Sequence, residues 1–279
     1  MFPEYLSVRA AELGSDSPIS VAVDGDKDSL ARHMAAAILD ECQAGQARGN
    51  GATLILPVGP VDQFPILAEM INEANLDIRN AVIINMDEYL TDDDQWIPAD
   101  HPLSFRGFMD RLFFSRLKAD LAPALENRIF PHPGDCDAVG RLIEERGGVD
   151  ACFGGIGING HMAFNEPPEP GETVSDDEFA VLPTRVLSLS RETRTINSVT
   201  VGGETTVIPH RAVTVGMKEI LEAKRCRFYC NRPWQSAVVR RLIHGPLTAE
   251  CPASFLRTHP DACLTVTDYV AEPPDIMLR

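Results

Sequence analysis

Basic residues are in short supply. The chain of 279 residues carries 25 Lys and Arg against 41 Asp and Glu, a formal net charge of −16. That balance excludes nucleic acid and anionic membrane as main partners, because no basic excess exists to neutralise phosphates. A small anionic substrate stays admissible, since a few local cations suffice. Long apolar runs are missing too: none reaches the roughly 18 residues that a membrane-spanning helix needs. Met1-Phe2-Pro3-Glu4-Tyr5 has neither the basic nor the apolar region of a signal peptide. The seven cysteines include no CxxC pair. Cys226 and Cys230, the closest two, fall on one face of an expected strand and would not bridge easily. Reduced cysteines in a cytoplasmic protein are therefore expected. So is the absence of a zinc site, for which clustered Cys and His ligands are lacking.

What is present is an ordinary globular composition, 44% hydrophobic and 6% aromatic. The length suits one α/β domain spanning residues 1–279. Short apolar runs at 19–23, 53–56, 81–86, 149–153, 212–215 and 226–230 read as strands. Segments with helical spacing fall at 28–42, 64–73, 105–117, 138–146, 217–223 and 235–243. Strands alternating with helices predict a Rossmann-like, doubly wound, mostly parallel sheet with helices on both faces. Residues 90–102 read as an acidic loop and 131–134 as a turn. Residues 166–177, rich in Pro, Glu and Asp, are expected to form a mobile excursion.

Two segments carry chemistry. The strand Val149–Phe153 runs into Gly154-Gly155-Ile156-Gly157-Ile158-Asn159-Gly160-His161-Met162-Ala163-Phe164-Asn165-Glu166-Pro167. A strand, then glycines, then polar groups is how an open α/β sheet builds a site at the carboxyl ends of its strands. The alternative is a tight turn whose His161 merely caps a helix. The buried strand Ala81–Met86 ends in Asp87-Glu88-Tyr89. Adjacent carboxylates there can place a base, or Asp87 can cap the next helix.

Together these segments resemble the glucosamine-6-phosphate deaminase/isomerase family, which is related to the 6-phosphogluconolactonases. The family pattern is N-M-D-E-Y at a strand end, then G-G-x-G-x-D-G-H-x-A-F-N-E-P. Ser104-Phe105 with Phe108-Met109, Thr193-Arg194 with Asn197-Ser198, Ala212–Gly216, and Ser254 with His259-Pro260 match in order, so the likeness runs from about residue 54 to 260. Asn165-Glu166-Pro167 is similar to the deaminase branch; the lactonases lack that Glu.

The resemblance implies conversion of a 2-amino-2-deoxy sugar phosphate to a ketose phosphate and ammonia. His161 would open the sugar ring, an imidazole being able to exchange protons near neutral pH. Asp87 would carry the C2 proton to C1, provided that burial and Glu88 raise its pKa. Glu166 would work with His161, and Asn159 would orient it. Gly59, Glu88, Gly155, Gly157, Gly160, Arg194 and Arg232 are expected at the substrate. No metal or redox cofactor is required by this chemistry. The partner expected is a small amino sugar or sugar phosphate, with neither nucleic acid nor membrane. As the family includes oligomers, self-association is a further expectation.

Four departures fall at ligand positions. Asn159 replaces the family's loop Asp. Leu56-Pro57-Val58-Gly59-Pro60-Val61-Asp62 replaces its L-P-T-G-G-T-P phosphate loop. Val199 stands where a phosphate arginine is expected, and Gln235 near a phosphate lysine, with Arg232 a displaced candidate. Each lost charged contact removes roughly 1.5–3 kcal/mol of binding. Either the anion is gripped elsewhere, by Arg106, Arg194, Arg211 or Arg232, or the substrate has no phosphate at C6. Arg185 aligns with a family allosteric arginine, but Leu187 follows where the family has Lys, and allosteric activation is not expected. The alternatives to a deaminase are a lactonase-type hydrolase, in which His161 activates water, and a non-catalytic sugar-binding protein on the same fold.

Overall fold

A computed structural model describes residues 2–277; Met1, Leu278 and Arg279 lie outside the described residues. In chain order the elements are β1 (Ser20–Asp24), α1 (Lys27–Arg48), β2 (Thr53–Leu56), α2 (Gln63–Glu73), β3 (Val82–Asn85), β4 (Asp87–Leu90), α3 (Phe105–Leu112) and β5 (Arg128–Ile129). They continue with α4 (Asp137–Arg146), β6 (Ala151–Gly154), α5 (Asp176–Ala180), β7 (Arg185–Ser188), α6 (Arg191–Asn197), β8 (Arg211–Thr214) and α7 (Met217–Leu221). The last are β9 (Cys226–Cys230), α8 (Gln235–His244), β10 (Ala262–Thr267) and α9 (Asp268–Ala271).

Seven strands pair in the order β1-β10-β9-β6-β2-β3-β5, every neighbouring pair parallel. The expected doubly wound α/β sheet is present. Its central strands are buried on both faces, which is why they read as unbroken apolar runs. Side chains alternate across the sheet: Ile55, Cys152 and Phe228 enter one core, while Leu54, Leu56, Ala151, Phe153 and Tyr229 enter the other.

A second, antiparallel sheet has the order β4-β8-β7. Residues 81–86 were expected to be one strand, with Asp87 placing a base or capping a helix and a loop from Leu90; the chain instead changes sheet at Met86 and continues as β4. The Met86 N–H donates to Leu56 in the first sheet (2.9 Å), and its carbonyl accepts from Val215 beside the second (2.7 Å). One residue thus serves two ladders, and the acidic pair begins a strand. β8, expected in the main sheet, belongs to this smaller one. β5, β7 and β10 carried no expectation. The helix expected to reach Leu117 ends at Leu112, and a 3-10 turn, Phe114–Arg116, follows.

Candidate active site

The loop after β6 turns tightly enough to bring His161 back over its own start. The Gly157 N–H donates to the His161 carbonyl (3.0 Å). A Cβ on Gly157 would lie 2.1 Å from the imidazole, so only glycine leaves the ring its place. Gly160 has φ +94° and packs against Cys251, whose Sγ would be 2.7 Å from an added Cβ. At Gly155 an added Cβ would meet the Gly59 carbonyl oxygen at 2.6 Å. These three glycines were expected to shape a sugar-facing backbone. The space left by their missing side chains is filled by the imidazole, Cys251 and the 59–60 turn. Ala163 adopts φ +53°, a strained conformation for a residue with a Cβ. Asn165 over-determines it, donating to both the Met162 and Val215 carbonyls at 2.9 Å.

His161 is 8% exposed. Its Nδ1 lies 2.8 Å from Asn159 Oδ1, 3.2 Å from Thr193 Oγ1 and 3.4 Å from Glu166 Oε2. An amide oxygen can only accept, so this contact calls for a proton on Nδ1 and leaves Nε2 as the basic nitrogen. Nε2 has no partner among the described residues. The other end of the Asn159 amide donates to Glu166 Oε2 at 2.6 Å. Glu166 also accepts from Thr193 Oγ1 (3.0 Å), Ser190 Oγ (3.1 Å) and Ser190 N (3.2 Å). Burial opposes its ionisation, but hydrogen bonds and charge from His161, with help from Asn159 and Thr193, prevail and hold its carboxyl down at about 2. Glu166 is thus fixed, although residues 166–177 were expected to be mobile. No regular element forms there until α5.

Ser190 and Thr193 were assigned no role from sequence. Their spacing is a helix-start signal: Ser190 Oγ accepts from Thr193 N at 3.2 Å and caps α6. That cap presents both hydroxyls to Glu166.

Asp87, 6% exposed, opens β4, opposite Thr214 of β8. Thr214 Oγ1 also accepts the Phe164 N–H (3.0 Å), so one residue ties the Asp87 strand to the His161 loop. The Asp87 carboxylate has no hydrogen-bond partner among the described residues. Burial first, then the charge of Glu88, pushes its pKa well above the ordinary value.

Glu88 was expected at the substrate; its carboxylate is committed to the fold. Fully buried, it accepts from Tyr89 N, Ser104 Oγ, Phe105 N, Arg106 N and Arg106 Nε at 2.9–3.2 Å. It anchors the start of α3, so Arg106 is occupied as well, and stacks over Trp96 at 4.3 Å. Arg211 pairs with Asp94 (2.8 Å). Arg194 turns to His210 Nε2 (2.7 Å), its Nε buried without a partner. Arg185 donates to Asn165 Oδ1 (2.7 Å). Arg232 and Gly59 are exposed on the loops after β9 and β2.

Among the described residues, no group of three or more His, Cys, Asp or Glu could hold a metal ion, and no helix is long and apolar enough to cross a membrane. Fold and site are those of an open α/β protein with acid–base groups at the carboxyl edge of its sheet. No model of a known protein family matches the chain. It is 30% identical over 218 residues to the glucosamine-6-phosphate deaminase of Thermoanaerobacter pseudethanolicus, covering 76% of this chain and 79% of that one. To the glucosamine-6-phosphate deaminase of Caenorhabditis elegans it is 27% identical over 247 residues, 86% of each chain. A solved monomeric glucosamine-6-phosphate deaminase superposes with a TM-score of 0.77 at 24% identity, covering 91% of this chain and 99% of that one. For the 6-phosphogluconolactonase from Trypanosoma brucei the TM-score is 0.64 at 16% identity, with 92% and 98% covered. Both superpositions speak to the fold alone. The chain belongs to the glucosamine-6-phosphate deaminase family.

Proposed function

We infer that the protein isomerises a 2-amino-2-deoxy aldose to the corresponding ketose and releases ammonia. The observation that carries this reading is the pairing of a tautomer-locked His161, Nε2 unengaged, with a buried Asp87 whose pKa is raised, at one edge of the sheet. His161 Nε2 takes the C1 hydroxyl proton and returns it to O5, opening the ring. Ionised Asp87 takes the C2 proton and delivers it to C1, while O1 gains a proton and the amine gives one up. The C2–N bond becomes an imine, which water hydrolyses to a C2 ketone and ammonia. Glu166 holds a negative charge beside the His161 ring. The small-molecule partner is the sugar. Seven free cysteines support a cytoplasmic setting, where thiols stay reduced.

The test is ammonia release from a panel of amino sugars, phosphorylated and free, with glucosamine 6-phosphate as reference. Ammonia with stoichiometric ketose is the expected result. Lactone hydrolysis without ammonia would transfer the site to the hydrolase reading, and binding without turnover to a sugar-binding protein.

A further inference from the structure

Arg185 opens β7, an edge strand of the small sheet, and lies opposite Thr214 of β8. On its other side Thr214 lies opposite Asp87. Directly opposed side chains share one face of a sheet, so Arg185, Thr214 and Asp87 form a row on a single face. The turn that carries His161 and Glu166 packs on that face, because Thr214 Oγ1 accepts the Phe164 N–H at 3.0 Å. Arg185 and Asp87 therefore flank the contact of this turn with the sheet.

The Arg185 guanidinium has no carboxylate at ion-pair distance among the described residues. Glu219, whose charge acts on it, is held by the Thr184 and Gly216 N–H groups at 3.2 and 3.0 Å. Arg185 Nη1 donates to Asn165 Oδ1 at 2.7 Å and at 3.3 Å to the Pro183 carbonyl. Drawing a charge from water without a counter-ion is costly, so the choice of a neutral amide as partner calls for an explanation.

Asn165 is fully buried. A guanidinium can only donate, so the amide oxygen must face it. That turns Nδ2 toward the Met162 and Val215 carbonyls, both at 2.9 Å, which can only accept. A flipped amide would set donor against donor at Arg185 and oxygen against oxygen at both carbonyls. The Val215 N–H in turn donates to the Met86 carbonyl at 2.7 Å, directly before Asp87. One line of bonds thus runs from Arg185 through Asn165, the neighbour of Glu166, to the peptide that leads into Asp87.

We propose that Arg185 is a positioning residue for the reaction: by fixing the Asn165 amide it locks the turn that carries His161 and Glu166 to the strand that carries Asp87. The proposal rests on the reading of those three residues as the reactive groups. Arg185 itself touches neither His161 nor Glu166.

The experiment compares Arg185→Met, which keeps the length and removes the donor, with Arg185→Lys, which keeps a donor. Both are checked for thermal midpoint and then carried through amide hydrogen exchange and ammonia release from glucosamine 6-phosphate. In Arg185→Met the Phe164 and Asn165 N–H groups are expected to exchange at least about tenfold faster while the central strands stay protected. Its kcat is expected to fall about tenfold with KM within about twofold, since a reacting group is misplaced and no substrate contact is lost. Arg185→Lys is expected to recover most of both. Unchanged exchange, unchanged kcat, or a lysine variant no better than the methionine one overturns the proposal. So does a raised KM with kcat intact, which would make Arg185 a substrate-binding group. If Arg185→Met does not fold, Arg185→Gln, too short to keep the bond, takes its place. A wild type that releases no ammonia sinks the deaminase reading alone, and exchange then decides whether Arg185 locks the turn.

Discussion

Asn159 donates through Nδ2 to Glu166 Oε2 at 2.6 Å while its Oδ1 accepts from His161 Nδ1 at 2.8 Å. A single neutral amide thus joins the imidazole to its counter-charge. An aspartate at this position, which the family pattern places with the same Glu, would set a second carboxylate against Glu166 at the same spacing, where like charges raise the pKa of one of the two. With Asn here, the negative charge beside His161 resides on the Glu.

Asn159→Asp is expected to raise the pKa of one of the two carboxyls and move the acid limb of the pH–rate profile upward. Asn159→Ala removes the tautomer lock and is expected to lower kcat by about 10²-fold, at the low end for acid–base groups. A pH profile of both variants checks this; unchanged profiles would show that Asn159 does not position His161. The linkage sign for Glu166 follows from its depressed pKa. Its contribution to stability is fully present above about 4.5 and is lost as pH falls toward about 2. Glu166→Gln should flatten acid unfolding across that window.

Asp87 titrates in the opposite sense. Its folded pKa lies above the unfolded one, so folding favours the protonated carboxyl and stability declines as pH rises through the folded pKa. Asp87→Asn is expected to abolish turnover and raise the thermal midpoint at pH 8 by about 2–4 °C. Near wild-type activity in that variant would remove Asp87 from the mechanism.

Gly157→Ala would push a methyl group into the imidazole. The ring is the movable partner, so the expected outcome is a folded protein with kcat lowered by about 10²-fold, since small misplacements of reacting groups have effects of that order. Circular dichroism and turnover separate this from unfolding.

Glu88 is the structural half of the acidic pair. Glu88→Ala strips acceptors from the start of α3 and leaves Arg106 without its carboxylate. Breaking a buried ion pair from one side costs about 3–5 kcal/mol, measurable by denaturant unfolding. A loss below about 1 kcal/mol would contradict the anchoring role.

The parallel sheet was legible because its central strands are buried on both faces and show in sequence as plain apolar runs: Thr53–Leu56 has the same bounds in both readings. The small sheet was not. Val186 and Leu187 are only half-buried, and β7 exists because Val186 pairs with Val213, a contact far along the chain. β4 was hidden for a related reason: it follows β3 after one residue, and nothing local marks Met86 as the point where the chain changes sheets.

By itself the sequence determined the strand–helix alternation, the glycine turn that must carry His161 and the presence of Asp87, Asn159 and Glu166, since these depend on local backbone freedom and side-chain chemistry. Tertiary structure alone decided which carboxylate is tied into the fold and which is left without a hydrogen bond among the described residues. Asp87 and Glu88 are adjacent and of one chemical type, but successive residues of a strand point to opposite sides. One side offers Glu88 five donors from Tyr89 and the start of α3. Asp87 receives no hydrogen bond from any described residue, and burial together with its neighbour's charge raises its pKa.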